Sequence, residues 1–294
     1  MKNPFQGIKD IRVTMNEKLS GHTSFHIGGP AQYFVSVHTK KALNDVLRRI
    51  KKSNLKYFLI GAGTNLLVGD AGFKGVILKL GGTFKKMSIH NGLCQCGAGM
   101  LIDEFLKRTA DRGYGGAEFL AGIPGTLGGA VKGNAGAFGG AIADLTEGVV
   151  ITDRRGNERI VPAEEIGFAY RESRIKDGEI ITTINLRLKK QKRDAILGKI
   201  NRNLRKRERK HPRGYSAGSF FKNPNCRPAG RLIEECGLKG MSVGDAEVSR
   251  KHGNYIVNRG QARAADVIAL SSLVKKAVRE QTGILLKQEV RVLK

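Results

Sequence analysis

Tryptophan is absent from these 294 residues, and aromatic side chains of all kinds make up only 6%. Proteins that bind single-stranded nucleic acid stack bases on such rings, so that class of function has little support. No apolar run approaches the roughly 20 residues needed to span a bilayer, which excludes a spanning helix. The first residues, Met1-Lys2-Asn3-Pro4, lack the apolar core of a signal peptide, and a cytoplasmic location is expected. There are four cysteines, Cys94, Cys96, Cys226 and Cys236, and none stands in a CxxC pair. Disulfides and a metal site are therefore not expected. Cys94-Gln95-Cys96 lies in a strand-like run, where both thiols share one face and read as buried structural groups.

Acid is also scarce, at 26 residues against 52 basic ones, for a formal charge of +26. Such a balance attracts polyanions. The excess is concentrated, however, in 189–193 and 202–213, which flank one predicted helix. A solvated helix is the plainest reading, steering of phosphate-bearing small molecules the next. Nucleic acid is not expected as a partner.

Glycine is what the chain has in quantity. Between 121 and 140 the sequence reads AGIPGTLGGAVKGNAGAFGG, with eight glycines in twenty positions. Neither helix nor strand favours that composition, because each glycine forfeits backbone entropy. Bare amides with no Cβ suit a cradle for phosphate oxygens. Gly61-Ala62-Gly63-Thr64-Asn65 has the same character, and two cradles suggest a ligand with an extended phosphate backbone. A dinucleotide fingerprint starts at Gly61 and fails: Leu66 replaces the third glycine, and no carboxylate stands near 80–83.

Length suits two or three subdomains. Residues 32–37 alternate as a strand; Thr39 caps a helix whose apolar stripe is Leu43, Val46, Leu47 and Ile50. Strands are expected at 57–60, 74–80, 92–98, 147–152, 158–161, 179–188 and 284–293. Helices are expected at 101–111, 194–210, 231–236 and 264–281, with a loop over 214–224. The mixture lacks a regular βαβ repeat and predicts an α+β fold.

Two stretches then become recognisable. GAGTNLLVGDAGFKGVILKL (61–80) and EFLAGIPGTLGGAVKGNAGAFGG (118–140) resemble the flavin-binding half of the UDP-N-acetylenolpyruvoylglucosamine reductase family. The likeness continues through Tyr170-Arg171-Glu172-Ser173, SAGSFFKNP (216–224), AGRLIEECGLKG (229–240), HGNYIVN (252–258) and the terminal QEVRVL. It spans nearly the whole chain in the family's order. SAGSFFKNP above all argues against a flavin oxidase on the same cofactor fold. The length resembles the subclass without a tyrosine-bearing loop over the substrate. Lys287-Gln288, Lys294 and His22 depart from the family's common residues.

The resemblance implies a fold of the vanillyl-alcohol-oxidase/PCMH type. FAD would be bound by 1–78 (with the terminal strand 284–294) and 79–190, and substrate by 191–283. It implies FAD and NADPH as cofactors, a UDP-sugar substrate, a monomer, no membrane insertion, and a role in peptidoglycan synthesis. Hydride would reach an enolpyruvyl ether, leaving charge on the adjacent carbon and its carboxylate. Ser219 matches the proton donor, Arg171 the group facing the carboxylate, and Glu289 a third catalytic group. An anion beside an enolate is unfavourable, so Glu289 is expected to be protonated or paired in turnover. From the residues alone, 216–219 reads as a polar turn, and Arg171 as a surface ion pair with Glu172 or Asp177. Glu289 alone reads as the polar face of a terminal strand. For FAD the matching positions are Gly61, Gly63, Thr64, Asn65, Leu66, Gly122, Ile123, Pro124, Gly125, Gly128, Gly129, Asn134, Ala135 and Gly136. For substrate they are Tyr170, Lys222 and Asn223, with His252 and Asn254 as further candidates.

Overall fold

A computed structural model describes residues 3–224 and 227–294, so the expectation for Cys226 lies outside the described residues. The chain packs as two compact units. The first comprises Met1–Met15, Tyr33–Gly61 and Gly75–Lys206; the second comprises Asn16–Gln32, Ala62–Lys74 and Arg207–Lys294.

The first unit is built around two sheets. One has the order Ile11–Lys18, Pro30–Val37, Phe73–Leu80, Tyr57–Ile60. Its last two strands run parallel, Tyr57 beside Val76 and Ile60 beside Lys79. The helix Lys40–Lys52 connects Pro30–Val37 to Tyr57–Ile60, and Thr39 Oγ1 accepts from the Ala42 amide at 3.2 Å to cap it. Its buried face is the stripe Leu43, Val46, Leu47 and Ile50 read from the sequence, joined by Ala42. Burying each large member contributes about 1.5–3 kcal/mol. The other sheet is antiparallel, in the order Glu158–Pro162, Thr146–Thr152, Ile180–Arg187, Leu93–Gly97, Met87–His90. Cys94 and Cys96 share its inner face, buried, with their sulfurs 3.3 Å apart and both thiols free.

The glycine-rich stretch is more regular than its composition predicts. Leu127–Lys132 forms a short helix, and Thr126 Oγ1 accepts from the Gly129 amide at 3.2 Å. Gly128 is required by packing: a Cβ there would stand 2.9 Å from that of Ala98. The strands Gly136–Ala137 and Gly140–Ala141 then pair as a hairpin. Phe138 and Gly139 at its tip both take positive φ, 53° and 85°, as a tight two-residue turn demands.

The second unit has its own core of Phe25, Ile27, Leu67, Phe220, Phe221, Leu232, Ile256 and the inner face of the helix Ala264–Thr282. A three-stranded sheet, Ser242–Val243, Ala246–Val248 and Ile256–Asn258, carries part of it. The helix ends on Gly283, whose φ of 71° lets its amide reach the Arg279 carbonyl at 2.8 Å. The shorter helix spans Ala229–Glu235, two residues ahead of its expected start. The expected strand over 284–293 shrinks to Arg291–Leu293, parallel to Leu66–Val68. Gln288 still pairs with Phe221, and Glu289 and Val290 both donate to the Phe220 carbonyl, at 2.9 and 3.4 Å. Two amides on one carbonyl break the strand's period there, as in a bulge.

Asp70 supplies from a distant loop the cap that Arg263 does not provide alone. Its two oxygens accept from the Ala264 and Ala265 amides at 2.8 and 3.1 Å, at the positive end of the long helix. Replacing Asp70 by Ala is expected to cost about 1–2 kcal/mol. Thermal denaturation checks this, with Asp70→Asn losing less.

Candidate active site

In the first unit, the glycine segment offers backbone donors. Gly122 and Gly125 adopt φ of 71° and 154°. Their amides have no protein acceptor among the described residues. Gly61 lies against the same segment: a Cβ on it would meet Thr126 Oγ1 at 2.7 Å. This is the surface a diphosphate needs, open amides on a backbone with no side chain in the way.

Beside it stands a tight turn. Ala169 and Glu172 exchange backbone hydrogen bonds of 3.0 and 3.2 Å, with Tyr170 and Arg171 between them. Arg171 has φ of 58°, a conformation that favours glycine. An arginine kept at that cost, of order 1–3 kcal/mol, points to a use for its side chain. Asn134 holds the turn, its Nδ2 donating to the Ala169 carbonyl at 2.9 Å. A hollow of about 340 Å³ joins Asn134 and Gly136 to Tyr170 and Arg171. Lys132 pairs with Asp177 at 3.1 Å, so one of the carboxylates expected beside Arg171 has a lysine partner.

In the second unit, Ser219 is locked into pairing on both flanks. Ser219 forms a bridge with Tyr255, and the Phe220 amide donates to the Asn254 carbonyl at 2.8 Å. On the other side the Glu289 amide reaches the Phe220 carbonyl and the Lys222 amide the Lys287 carbonyl. Residues 216–219 are thus the lead into an extended segment, Gly218 turning it with φ of 77°. Burial raises the Tyr255 pKa, Arg207 and the Ser219 side chain oppose that, and the charge of Glu289 adds to it. The rings of His211 and His252 pack against Tyr255 at 5.3 and 5.1 Å and stack on each other at 5.6 Å. Burial, with Arg207, His252, Lys210 and Lys251 around it, brings His211 down to about 4. Burial also lowers His252, against the pull of Glu234.

Residues 31–160 match the FAD binding domain, and residues 210–293 match the C-terminal domain of UDP-N-acetylenolpyruvoylglucosamine reductase. UDP-N-acetylenolpyruvoylglucosamine reductase 2 of Symbiobacterium thermophilum is 40% identical over 284 residues, 96% of this chain and 92% of that protein. The reductase of Chloroflexus aggregans is 42% identical, over 96% of this chain and 98% of its own length. The chain belongs to the UDP-N-acetylenolpyruvoylglucosamine reductase family. The crystal structure of UDP-N-acetylenolpyruvylglucosamine reductase from Thermus caldophilus superposes with a TM-score of 0.83 at 37% identity. It covers 97% of this chain and 99% of that one. The α+β fold of vanillyl-alcohol-oxidase/PCMH type, with an FAD-binding domain and the reductase family's own C-terminal domain, is therefore that of an oxidoreductase. Among the described residues no helix is long and apolar enough to cross a membrane.

Within this family frame several residues have duties the motifs do not announce. Gly63 is a glycine because a Cβ would lie 2.0 Å from the His22 carbonyl oxygen. Asn65 is tied to the 289–291 segment, its Nδ2 donating to the Glu289 carbonyl at 3.3 Å and its own carbonyl accepting from the Arg291 amide at 3.1 Å. Leu66 is buried in the strand beside Arg291. Asn254 uses both ends of its amide on the Phe221 backbone, at 2.9 and 2.8 Å, and is structural. Asn223 Oδ1 accepts from the Ala229 amide at 3.0 Å. Sequence reasoning passed over Tyr255 and His211. The signal available was the motif NYIVN itself, whose alternation puts Tyr255 on one face of a strand edge.

Two outcomes follow from this geometry. Arg171→Gly relieves the left-handed strain, so the variant is expected to melt no lower than the parent while its turnover falls at least 100-fold, on the order expected for a lost charge-stabilising donor. Melting curves and steady-state rates check both halves. For His211, the folded pKa near 4 lies below the ordinary 6.5, so the fold binds fewer protons than the unfolded chain between those values. Stability is full above pH 6.5 and declines as pH falls toward 4. Melting temperature followed across that window shows it, and His211→Gln flattens the slope.

Proposed function

We propose that this chain carries out the FAD-dependent, NADPH-driven reduction of UDP-N-acetylglucosamine enolpyruvate to UDP-N-acetylmuramate, as a cytoplasmic monomer in peptidoglycan synthesis. The observation that carries the reading is the segment 219–222. It secures Ser219 between Tyr255 on one flank and the 287–290 backbone on the other, inside the region matched to the reductase C-terminal domain. In this reading 1–78, 284–294 and 79–190 serve the cofactor and 191–283 the substrate.

The cofactor would be held by the 61–66 and 122–129 segments and by Asn134, Ala135 and Gly136, where the open amides of Gly122 and Gly125 suit its diphosphate. Bound there, FAD supplies hydride drawn from NADPH. The chain's own residues handle the charge and proton that hydride addition leaves to be managed. Arg171, presented at a turn tip, meets the substrate carboxylate with a planar fork that lysine lacks. Ser219 gives its proton to the carbon beside that carboxylate. Glu289 works protonated or paired, since a bare anion would oppose the enolate. Lys222 and Asn223, through its Nδ2, take the diphosphate and sugar, and Tyr170 borders the substrate.

A second hollow of about 360 Å³ in the first unit gathers Lys199, Arg202 and Lys206 from one face of the helix Arg193–Lys210, with Phe119 and Phe138. Cations in a groove raise the local concentration of phosphate-bearing ligands, which accounts for part of the chain's charge as steering.

An anaerobic experiment separates the half-reactions. The purified yellow protein should bleach with NADPH and recover its flavin absorbance on adding the enolpyruvyl substrate. Ser219→Ala should bleach normally and fail to recover. Recovery with oxygen alone in the parent protein overturns the substrate assignment, and loss of FAD from the variant overturns the role of Ser219.

A further inference from the structure

A serine hydroxyl is a weak acid, and a proton donor of this kind needs a partner for the charge left on its oxygen. The structure supplies one candidate directly across the strand pairing from Ser219. Tyr255 is paired with Ser219 across a strand bridge, which fixes the two residues directly opposite each other with both side chains on one face, and the Ser219 side chain holds the Tyr255 pKa down against burial. The tyrosine is held in place from three directions. Its ring is 8% exposed. The imidazoles of His211 and His252 wall it, nearly parallel to one another at 10°. Its backbone amide donates to the His252 carbonyl at 3.1 Å, and its carbonyl accepts from the Ser249 amide at 2.8 Å. A phenol so confined loses little freedom when it bonds to a neighbour, which is what preorganised stabilisation requires.

We infer that Tyr255 is a positioning residue for the reaction: its hydroxyl donates to Ser219 Oγ, aims the seryl proton at the substrate carbon, and stabilises the seryl oxygen as that proton leaves. This rests on the reading of Ser219 as proton donor. In the step, the Oγ–H bond breaks and a C–H bond forms at the carbon beside the carboxylate. The electron pair of the enolate enters the new bond, and the seryl oxygen keeps the pair from O–H. The Tyr255 proton then passes to that oxygen, and the phenolate recovers a proton from water. Nothing is oxidised or reduced in this exchange; the hydride has already been delivered. Both histidines are uncharged near neutrality, so they act here as ring walls, and the nearby cation is Arg207.

Tyr255→Phe keeps the ring and removes the oxygen, so folding is preserved. In stopped-flow measurements without oxygen, bleaching by NADPH should match the parent. Recovery with the enolpyruvyl substrate should slow about 10- to 100-fold. The solvent deuterium isotope effect on recovery should rise, because proton delivery then limits the step. Substrate affinity, read from the shift of the oxidised flavin spectrum, and melting temperature should stay as in the parent. In Ser219→Ala the further change Tyr255→Phe should cost nothing more, since the tyrosine acts through the serine. Recovery at the parent rate in Tyr255→Phe, with Ser219→Ala still blocked, overturns the tyrosine's role and leaves that of the serine standing. Normal recovery in both variants overturns the serine reading and this inference with it. Slowed recovery with an unchanged isotope effect and a lowered melting temperature reduces Tyr255 to packing and also overturns it.

Discussion

The backbone of one residue, Phe220, organises the pairing in the second unit. Phe220 donates its amide to Asn254 on one side and offers its carbonyl to Glu289 and Val290 on the other. Its ring and that of Phe221 are both buried, 5.1 Å apart, so the segment cannot slide without exposing two phenyl groups. Register and core are thereby coupled: a one-residue slip would turn every side chain to the opposite face. Ser219, Tyr255 and Glu289 come from parts of the chain more than thirty residues apart. Their meeting depends on this pairing, and Asn254 reinforces it by closing both ends of its amide on Phe221.

The first unit solves a different problem, that of offering backbone to a ligand without losing its own order. Its glycines fall into two kinds. At Gly128 and Gly136 a Cβ would run into Ala98 or the Gly140 carbonyl, so the residue is dictated by the fold itself. At Gly122 and Gly125 φ is positive and, among the described residues, the amides have no protein acceptor, which is a poor arrangement for folding alone. The same contrast marks Arg171, where a glycine would relax the turn and an arginine is present. Strain and unpaired donors occur where a ligand would repay them, and the rest of the unit is conventionally packed.

How much of this could be read beforehand depends on the range of the interaction. The helix after Thr39, its cap there and the stripe Leu43, Val46, Leu47 and Ile50 follow from spacing, and the structure has all three, with Ala42 buried beside them. The shared face of Cys94 and Cys96 is equally local. The terminal strand failed for a non-local reason: the doubled bond to the Phe220 carbonyl interrupts it, and nothing in QEVRVL signals that. Composition misled at 121–140, since a six-residue helix held by Thr126 costs less than its glycine content suggests. The motif resemblance points to Ser219, Arg171 and Glu289 as site residues, where periodicity alone assigns a turn, a surface pair and a strand edge. It did not reach Tyr255 or His211, whose importance lies in what stands opposite them in space.

The charge of the chain bears on the site in a way net composition conceals. Of a surplus of 26 positive charges, some surround His211 as Arg207, Lys210 and Lys251. A histidine among cations is pressed toward its neutral form, and burial presses it the same way. The outcome is that the pair of imidazoles beside Tyr255 brings ring surface without adding charge. A protonated imidazole there would attract Glu289 and compete with Ser219 for whatever anion forms during turnover. The basic surround thus keeps positive charge off the rings that touch Tyr255 while leaving it on the lysine and arginine side chains around them. A less basic helix end would let the His211 pKa rise toward its ordinary value and bring charge onto the ring wall.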